Sequence, residues 1–256
     1  MRTRLAALAL LTGLTQAHAA PVEAKASYVM TVGGINVAMM HVALSDTGSA
    51  YELDATANVA GLGTLVASGT ARVTSKGSSS GSSLRSNSFG IETKANGERF
   101  KVDVGFSGQN VASFKVDPPV DEYDRVPIER RHLNGVADFL ASFVIKGGKL
   151  DKSLCERRMP VFTGVERFNL TMSFAGNDEA TSPRTGYQGP VVLCSVKYQP
   201  VSGHYANNEM TSYLAEQSRI LVWYAPLGDT GYFIPYRALL GTSMGDLSMV
   251  LVKAEN

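Results

Sequence analysis

The stretch YQGPVVLCSVKYQP, Tyr187 to Pro200, decides the fold. Val192, Cys194, Val196 and Tyr198 fall on one side, and Ser195, Lys197 and Gln199 on the other. A period of two marks a strand with one face on a core and one in water. The inward face carries a cysteine, and the chain of 256 residues has only one other, Cys155.

The N-terminus explains that cysteine. MRTRLAALALLTGLTQAHAAP opens with Arg2 and Arg4, runs apolar from Leu5 to Leu14 and reaches a small-x-small pattern at Ala17-His18-Ala19. This is the pattern of a secretory signal peptide, residues 1–20, cut after Ala19 or Ala20. The apolar run is about half the roughly 20 residues that span a bilayer. No cysteine follows the cleavage point to carry a lipid, and no later segment is apolar enough to cross a membrane. The expectation is therefore an exported periplasmic chain without a lipid anchor or transmembrane segment. In an oxidising compartment an even cysteine count reads as a disulfide, Cys155 to Cys194. Closing that loop is worth about 4 kcal/mol in the chain-entropy picture. Metal binding needs more ligands than these two cysteines and scattered histidines supply.

The chain has 24 Lys and Arg against 23 Asp and Glu, and losing Arg2 and Arg4 leaves a formal charge of −1. That balance points away from nucleic acid. Residues 21–256 fit a single β-rich domain.

Other runs repeat the period of two: YELDATANV from Tyr51, FKVDVGF from Phe100, and ERFNLTMSF, with Phe168, Leu170, Met172 and Phe174 inward. SDTGS, Asn96-Gly97, Gly228–Gly231 and TSMGD supply turns, so pairing is antiparallel. The run Ser75 to Ser83 reads as a mobile hairpin tip. One segment differs. NGVADFLASFVI places Val136, Phe139, Leu140, Phe143 and Val144 on one helical face, with Asn134 as N-cap and Gly147-Gly148 as its stop. A shorter helix fits NNEMTSYLAEQ. The fold expected is mostly β: a curved antiparallel sheet of roughly ten strands, an open barrel or β-spiral, wrapped around one buried helix.

Chemistry is sparse. GTSMG, Gly241 to Gly245, matches the G-x-S-x-G elbow of esterases, but a strand follows and no histidine lies beyond Ser243. A hairpin turn is the better reading, and no catalytic, cofactor or metal residues are assigned. His41 reads as an inward strand residue, His132 as solvated, and neither they nor His204 have metal-ligand spacing. Arg130-Arg131 and Arg157-Arg158 can bind an anionic headgroup, although paired arginines are more often solvated surface. The sequon Asn169-Leu170-Thr171 lies mid-strand and is discounted.

Three C-terminal pieces carry a resemblance: PVFTGVERFNLTMSF, YQGPVVLCSVKYQPVSGH and WYAPLGDTGYFIPYRALLGTSMGDLSMVLVK. In that order they resemble a bacterial envelope family labelled domain of unknown function 3108; YELDATANVAGLGTLVASGTARV fits more loosely. The resemblance implies an architecture similar to periplasmic lipoprotein-carrier half-barrels and envelope-integrity β-spiral proteins, and it lends no catalytic residues. The reading is a non-catalytic envelope protein that binds an apolar, lipid-like small molecule. Val136, Phe139, Leu140, Phe143, Phe168, Leu170, Met172 and Phe174 are the candidate lining. The alternatives are an envelope-maintenance module that grips another envelope protein and, last, a hydrolase.

Overall fold

The computed structural model describes residues 21–65, 68–216, 219–242 and 245–256. Two long meanders meet at the middle of one sheet. The first runs β1 (Val22–Val32), β2 (Ile35–Asp46), β3 (Ala50–Val59), β4 (Gly69–Ser80), β5 (Ser83–Ala95), β6 (Glu98–Ser107) and β7 (Asn110–Asp117). A connection follows with a short helix α1 (Phe139–Ser142) and a two-residue strand β8 (Ile145–Lys146). The second meander is β9 (Arg158–Phe162), β10 (Arg167–Ala180), β11 (Gly189–Ser202), helix α2 (Glu209–Glu216), β12 (Ile220–Pro226), β13 (Tyr232–Leu240) and β14 (Leu247–Glu255). β1 pairs with β14, so the sheet order is β7 to β1, then β14 down to β9, with β8 beside β13. Every pairing between these strands is antiparallel, as the short turns require. Asn96 and Gly97 both take positive φ, 51° and 90°, and close the β5–β6 hairpin with Ala95 opposite Glu98.

The sheet has fourteen strands among the described residues, more than the roughly ten expected. Part of the difference is the serine-rich run. It is not a loop tip: β4 continues through it to Ser80, and only Gly81-Ser82 turn. Ser75 and Ser79 are buried on the inner face. Small side chains are needed there, since a methyl group on Gly77 would overlap the Arg85 carbonyl oxygen and lie 2.8 Å from Tyr51 Cε1.

The sheet curls until its outer strands face one another. Phe114 of β7 meets Phe162 of β9 edge to face, with ring centroids 5.2 Å apart. Phe162 also joins Phe89, Val102, Val104 and Phe106 in one buried cluster. Gly164, at φ +89°, lets the β9–β10 hairpin lie directly on Val102, where a methyl group would overlap the valine.

The helix expected over Asn134–Ile145 is corrected by the structure. Four residues, Phe139–Ser142, are helical. Asp138, not Asn134, caps them, its side chain accepting from Ala141 N. Gly135 takes φ +64°, and Ile145 and Lys146 pair with Phe233 and Tyr232 instead of continuing the turn. The apolar spacing arises because this segment is an irregular plug packed on several sides, not one face of a rod. The helix expected near Asn208 is present as α2, with Asn208 Oδ1 accepting from Thr211 N at 2.9 Å.

Where the plug leaves the interior, a disulfide fastens it. Cys155 and Cys194 are bonded, with Cα atoms 5.3 Å apart and both side chains fully buried. Thiol labelling of unreduced, denatured protein should find no free thiol. Replacing both cysteines by alanine should cost about 2–5 kcal/mol of stability in chemical denaturation.

Candidate functional site

The plug is fixed before the site is formed. Val136 N donates to Gln109 O at 2.7 Å, and Ala137 exchanges bonds with Pro160 O and Phe162 N on the edge of β9, at 2.9 and 3.1 Å. Asp138 follows and is 0% exposed. Its carboxylate accepts from Ser75 Oγ at 2.7 Å, from Ser86 Oγ, and from Ala141 N at 2.8 Å. Tyr51 Oη lies 3.0 Å from Ser75 Oγ and completes the cluster. Burial pushes the Asp138 carboxyl above its ordinary value, against the hydrogen bonds from Ser86, Ser75 and the Ala141 and Leu140 amides. No ion pair reaches it among the described residues.

A second polar cluster holds the other end of the plug. Lys146 Nζ donates to Asp46 Oδ2 and to Ser79 Oγ, both at 2.6 Å, while Tyr232 Oη donates to the same carboxylate. Burial alone would raise the Asp46 carboxyl. Hydrogen bonds from Lys146, Tyr232, the Gly48 amide and Ser79 together hold it below the ordinary carboxylate value.

Between these anchors the plug walls off an apolar cavity of about 320 Å³. Its other walls are the inner faces of β1, β2, β13 and β14, with Leu53 of β3 and Val222 of β12. Space remains there because the strands carry small residues where larger ones would meet the plug: Ala24, Ala26 and Ala238. Phe139, Leu140, Phe143 and Val144 form the plug's side. Phe139 is 42% exposed, and its ring meets that of Phe143 edge to face at 5.1 Å.

The expected lining is thus divided among several places. Phe139, Leu140 and Phe143 line the cavity. Val136 lies in the cluster with Phe162. Phe168, Leu170 and Met172 are buried in the cluster around the disulfide, where Phe143 packs on them from the plug. Phe174 is exposed although it stands opposite Cys194 in unbroken register; a register shift follows it, between Phe174 and Gly176. The alanines and methionines of β1, β2 and β14 were missed: Ala26 and Met249 alone carry no ligand signal in a sequence. His41 is also corrected. It is exposed, and its Nδ1 lies 2.9 Å from Ser27 Oγ. Asn169 Nδ2 donates to Gln199 Oε1 across the outer sheet face at 3.2 Å.

Among the described residues no group of three or more His, Cys, Asp or Glu is placed to hold a metal ion, and no helix is long and apolar enough to cross a membrane. Residues 1–20 and Ser243 lie outside the described residues.

One antiparallel sheet curled on an interior plug, with an apolar cavity, defines a β-barrel-like protein. The fold is similar to that in the crystal structure of a β-barrel-like protein of domain of unknown function DUF1849 from Brucella abortus. The TM-score is 0.50 at 12% identity, covering 91% of this chain and 97% of that one. The chain belongs to the family described as "Protein of unknown function (DUF3108)", whose model matches residues 27–252. Among curated proteins nothing matches it.

The two buried aspartates should titrate with opposite sign. A raised folded pKa means that Asp138 loses stabilising effect as pH rises above the unfolded carboxyl value of about 4. Asp138→Asn should therefore gain on the wild type in melting temperature between pH 4 and 7. A depressed folded pKa means that the Asp46 contribution is full above about pH 4 and lost as pH falls through the folded value. Asp46→Asn should be most damaging near neutrality and converge on the wild type in acid. Parallel or pH-independent melting curves would contradict both assignments.

Proposed function

We propose that the protein holds one apolar, lipid-like molecule in the cavity beneath the plug, in the periplasm, without catalysing a reaction. The observation that carries this reading is the cavity itself. Its side chains are overwhelmingly hydrocarbon, and its size lies at the lower end of the roughly 300–1,000 Å³ typical of ligand pockets. Hydrocarbon walls favour burial of hydrocarbon by about 25 cal/mol for each Å² removed from water. Phe139, partly exposed on the plug, presents an apolar edge to an entering molecule. The signal-like N-terminus supports export, and the disulfide supports an oxidising destination.

The test uses delipidated protein and the neutral dye N-phenyl-1-naphthylamine. Saturable uptake of one dye per chain is expected. Ala26→Phe should fill the cavity, reducing uptake at least tenfold while leaving the fold intact by circular dichroism. Phe143→Ala should alter uptake and cost less than the about 3–5 kcal/mol typical of a fully packed phenylalanine, since Phe143 borders the cavity. Mass spectrometry of protein purified from a periplasm should detect a co-purifying amphiphile. A fold that takes up no apolar probe would sink the carrier reading and leave the partner-binding one.

A further inference from the structure

On the other side of α1 lies a second cavity of different character. It occupies about 680 Å³ between the β4–β5 turn, Gln109, the end of the plug and the segment Ser153–Pro160. Lys146, Arg157 and Arg158 line it, and no aspartate or glutamate does. Lys146 is committed to Asp46 and Ser79. Neither arginine enters an ion pair among the described residues. Of the acids next to the lining in sequence, Asp138 is engaged by Ser75, Ser86 and the Ala141 amide, and Glu156 is exposed; Asp151 is occupied by the Ser153 amide and hydroxyl at 2.8 and 2.6 Å.

Arg157 is the unusual member. Its Nη1 is sealed from solvent and has no hydrogen-bond partner. The Tyr224 hydroxyl is sealed and unpartnered as well, and it interacts electrostatically with this guanidinium. A phenol is neutral at physiological pH and does not balance the charge. Burial lowers the Arg157 pKa, with Tyr224 opposing that effect, yet a guanidinium stays charged in proteins. The backbone that carries this side chain is held in place. Arg157 N donates to Cys155 O at 3.0 Å, Arg157 O accepts from Met172 N at 2.9 Å, and Cys155 is fixed by the disulfide. A half-buried guanidinium with one sealed, unpartnered nitrogen and no carboxylate paired with it among the described residues is a group that a ligand can neutralise.

We propose that this cavity is an oxyanion site that takes a phosphate group, with Arg157 as anchor and Arg158 as second donor. Guanidinium forks match phosphate oxygens in pairs. Two forks, with the Ser82 and Ser83 hydroxyls in the same wall, offer more donors than the two oxygens of a carboxylate use. The phosphate can be free or belong to a lipid headgroup. Val144 lines both cavities, so a lipid held in the apolar one has its nearest polar neighbour here.

Isothermal titration at fixed ionic strength, replacing chloride by inorganic phosphate, tests the site. Saturable binding is expected, at least tenfold weaker in Arg157→Met, with Arg157→Lys and Arg158→Gln between that variant and the wild type. The two milder variants carry the test if Arg157→Met does not fold. Lysophosphatidylglycerol supplies the second arm. If it binds tighter than phosphate and displaces N-phenyl-1-naphthylamine, the ligand is a headgroup. If phosphate binds without displacing the dye, the ligand is free phosphate. Binding no stronger than that of chloride, or affinity unchanged in the folded arginine variants, overturns the proposal. Loss of dye uptake with phosphate binding retained would instead remove only the apolar-carrier reading.

Discussion

The carboxylate of Asp138 is fully buried and meets no cation among the described residues, and the interior is arranged around satisfying it. Two serines from neighbouring strands, Ser75 of β4 and Ser86 of β5, reach it together with the amide of Ala141. A buried acceptor left unmatched costs more than a matched one returns, so this cluster sets where the plug can sit. It also dictates the composition of β4. Larger side chains at Ser75, Gly77 or Ser79 would exclude the aspartate, Tyr51 or Lys146. The second cluster, on Asp46, fixes the far end of the same segment. The cavity is the gap left between two polar anchors that do not allow the plug to settle further onto the alanines of β1.

The same plug substitutes for ladder bonds at the sheet's outer strands. β7 and β9 approach through Phe114 and Phe162, through Gly164 against Val102, and through residues 136–137, which bond to both sides. The sheet is closed by side chains and inserted backbone, not by a continuous run of strand pairs. Polar cavities gather at such a junction because turns and an irregular segment bring their backbone groups there. That is where Arg157 lies.

Much of the fold was legible in the sequence for a plain reason. A strand with one wet face leaves a period of two that no other element mimics, and Asn96-Gly97 or Gly228–Gly231 can hardly be other than turns. The disulfide followed from two cysteines and an N-terminus with the pattern of a signal peptide. The plug was misread because Val136, Leu140, Phe143 and Val144 have helical spacing yet pack toward three different clusters, while Phe139, at the same spacing, is exposed. Spacing records that residues are buried, not that one neighbour buries them. β4 was misread because its serines look like linker, while their role depends on Asp138, 63 positions away from Ser75. The cavity's own signal, alanine where valine would fit, is invisible until the opposing surface is known. Arg157 read as solvated surface because nothing beside it in sequence reveals that its Nη1 is sealed from solvent.

The join between β1 and β14 has a consequence for how the chain assembles. Within each meander every strand pairs with its sequence neighbour, contacts of low order that form without closing long loops. The central pairing is of the opposite kind: Lys25 lies against Glu255, so nearly the whole polypeptide must be present before the ladder can form. A chain that emerges N-terminus first can organise β1 to β7 before its remaining strands are available. The middle of the finished sheet is therefore its youngest part. Until β14 arrives, one side of β1 is an unpaired edge, and the last strand to appear is the one that covers it.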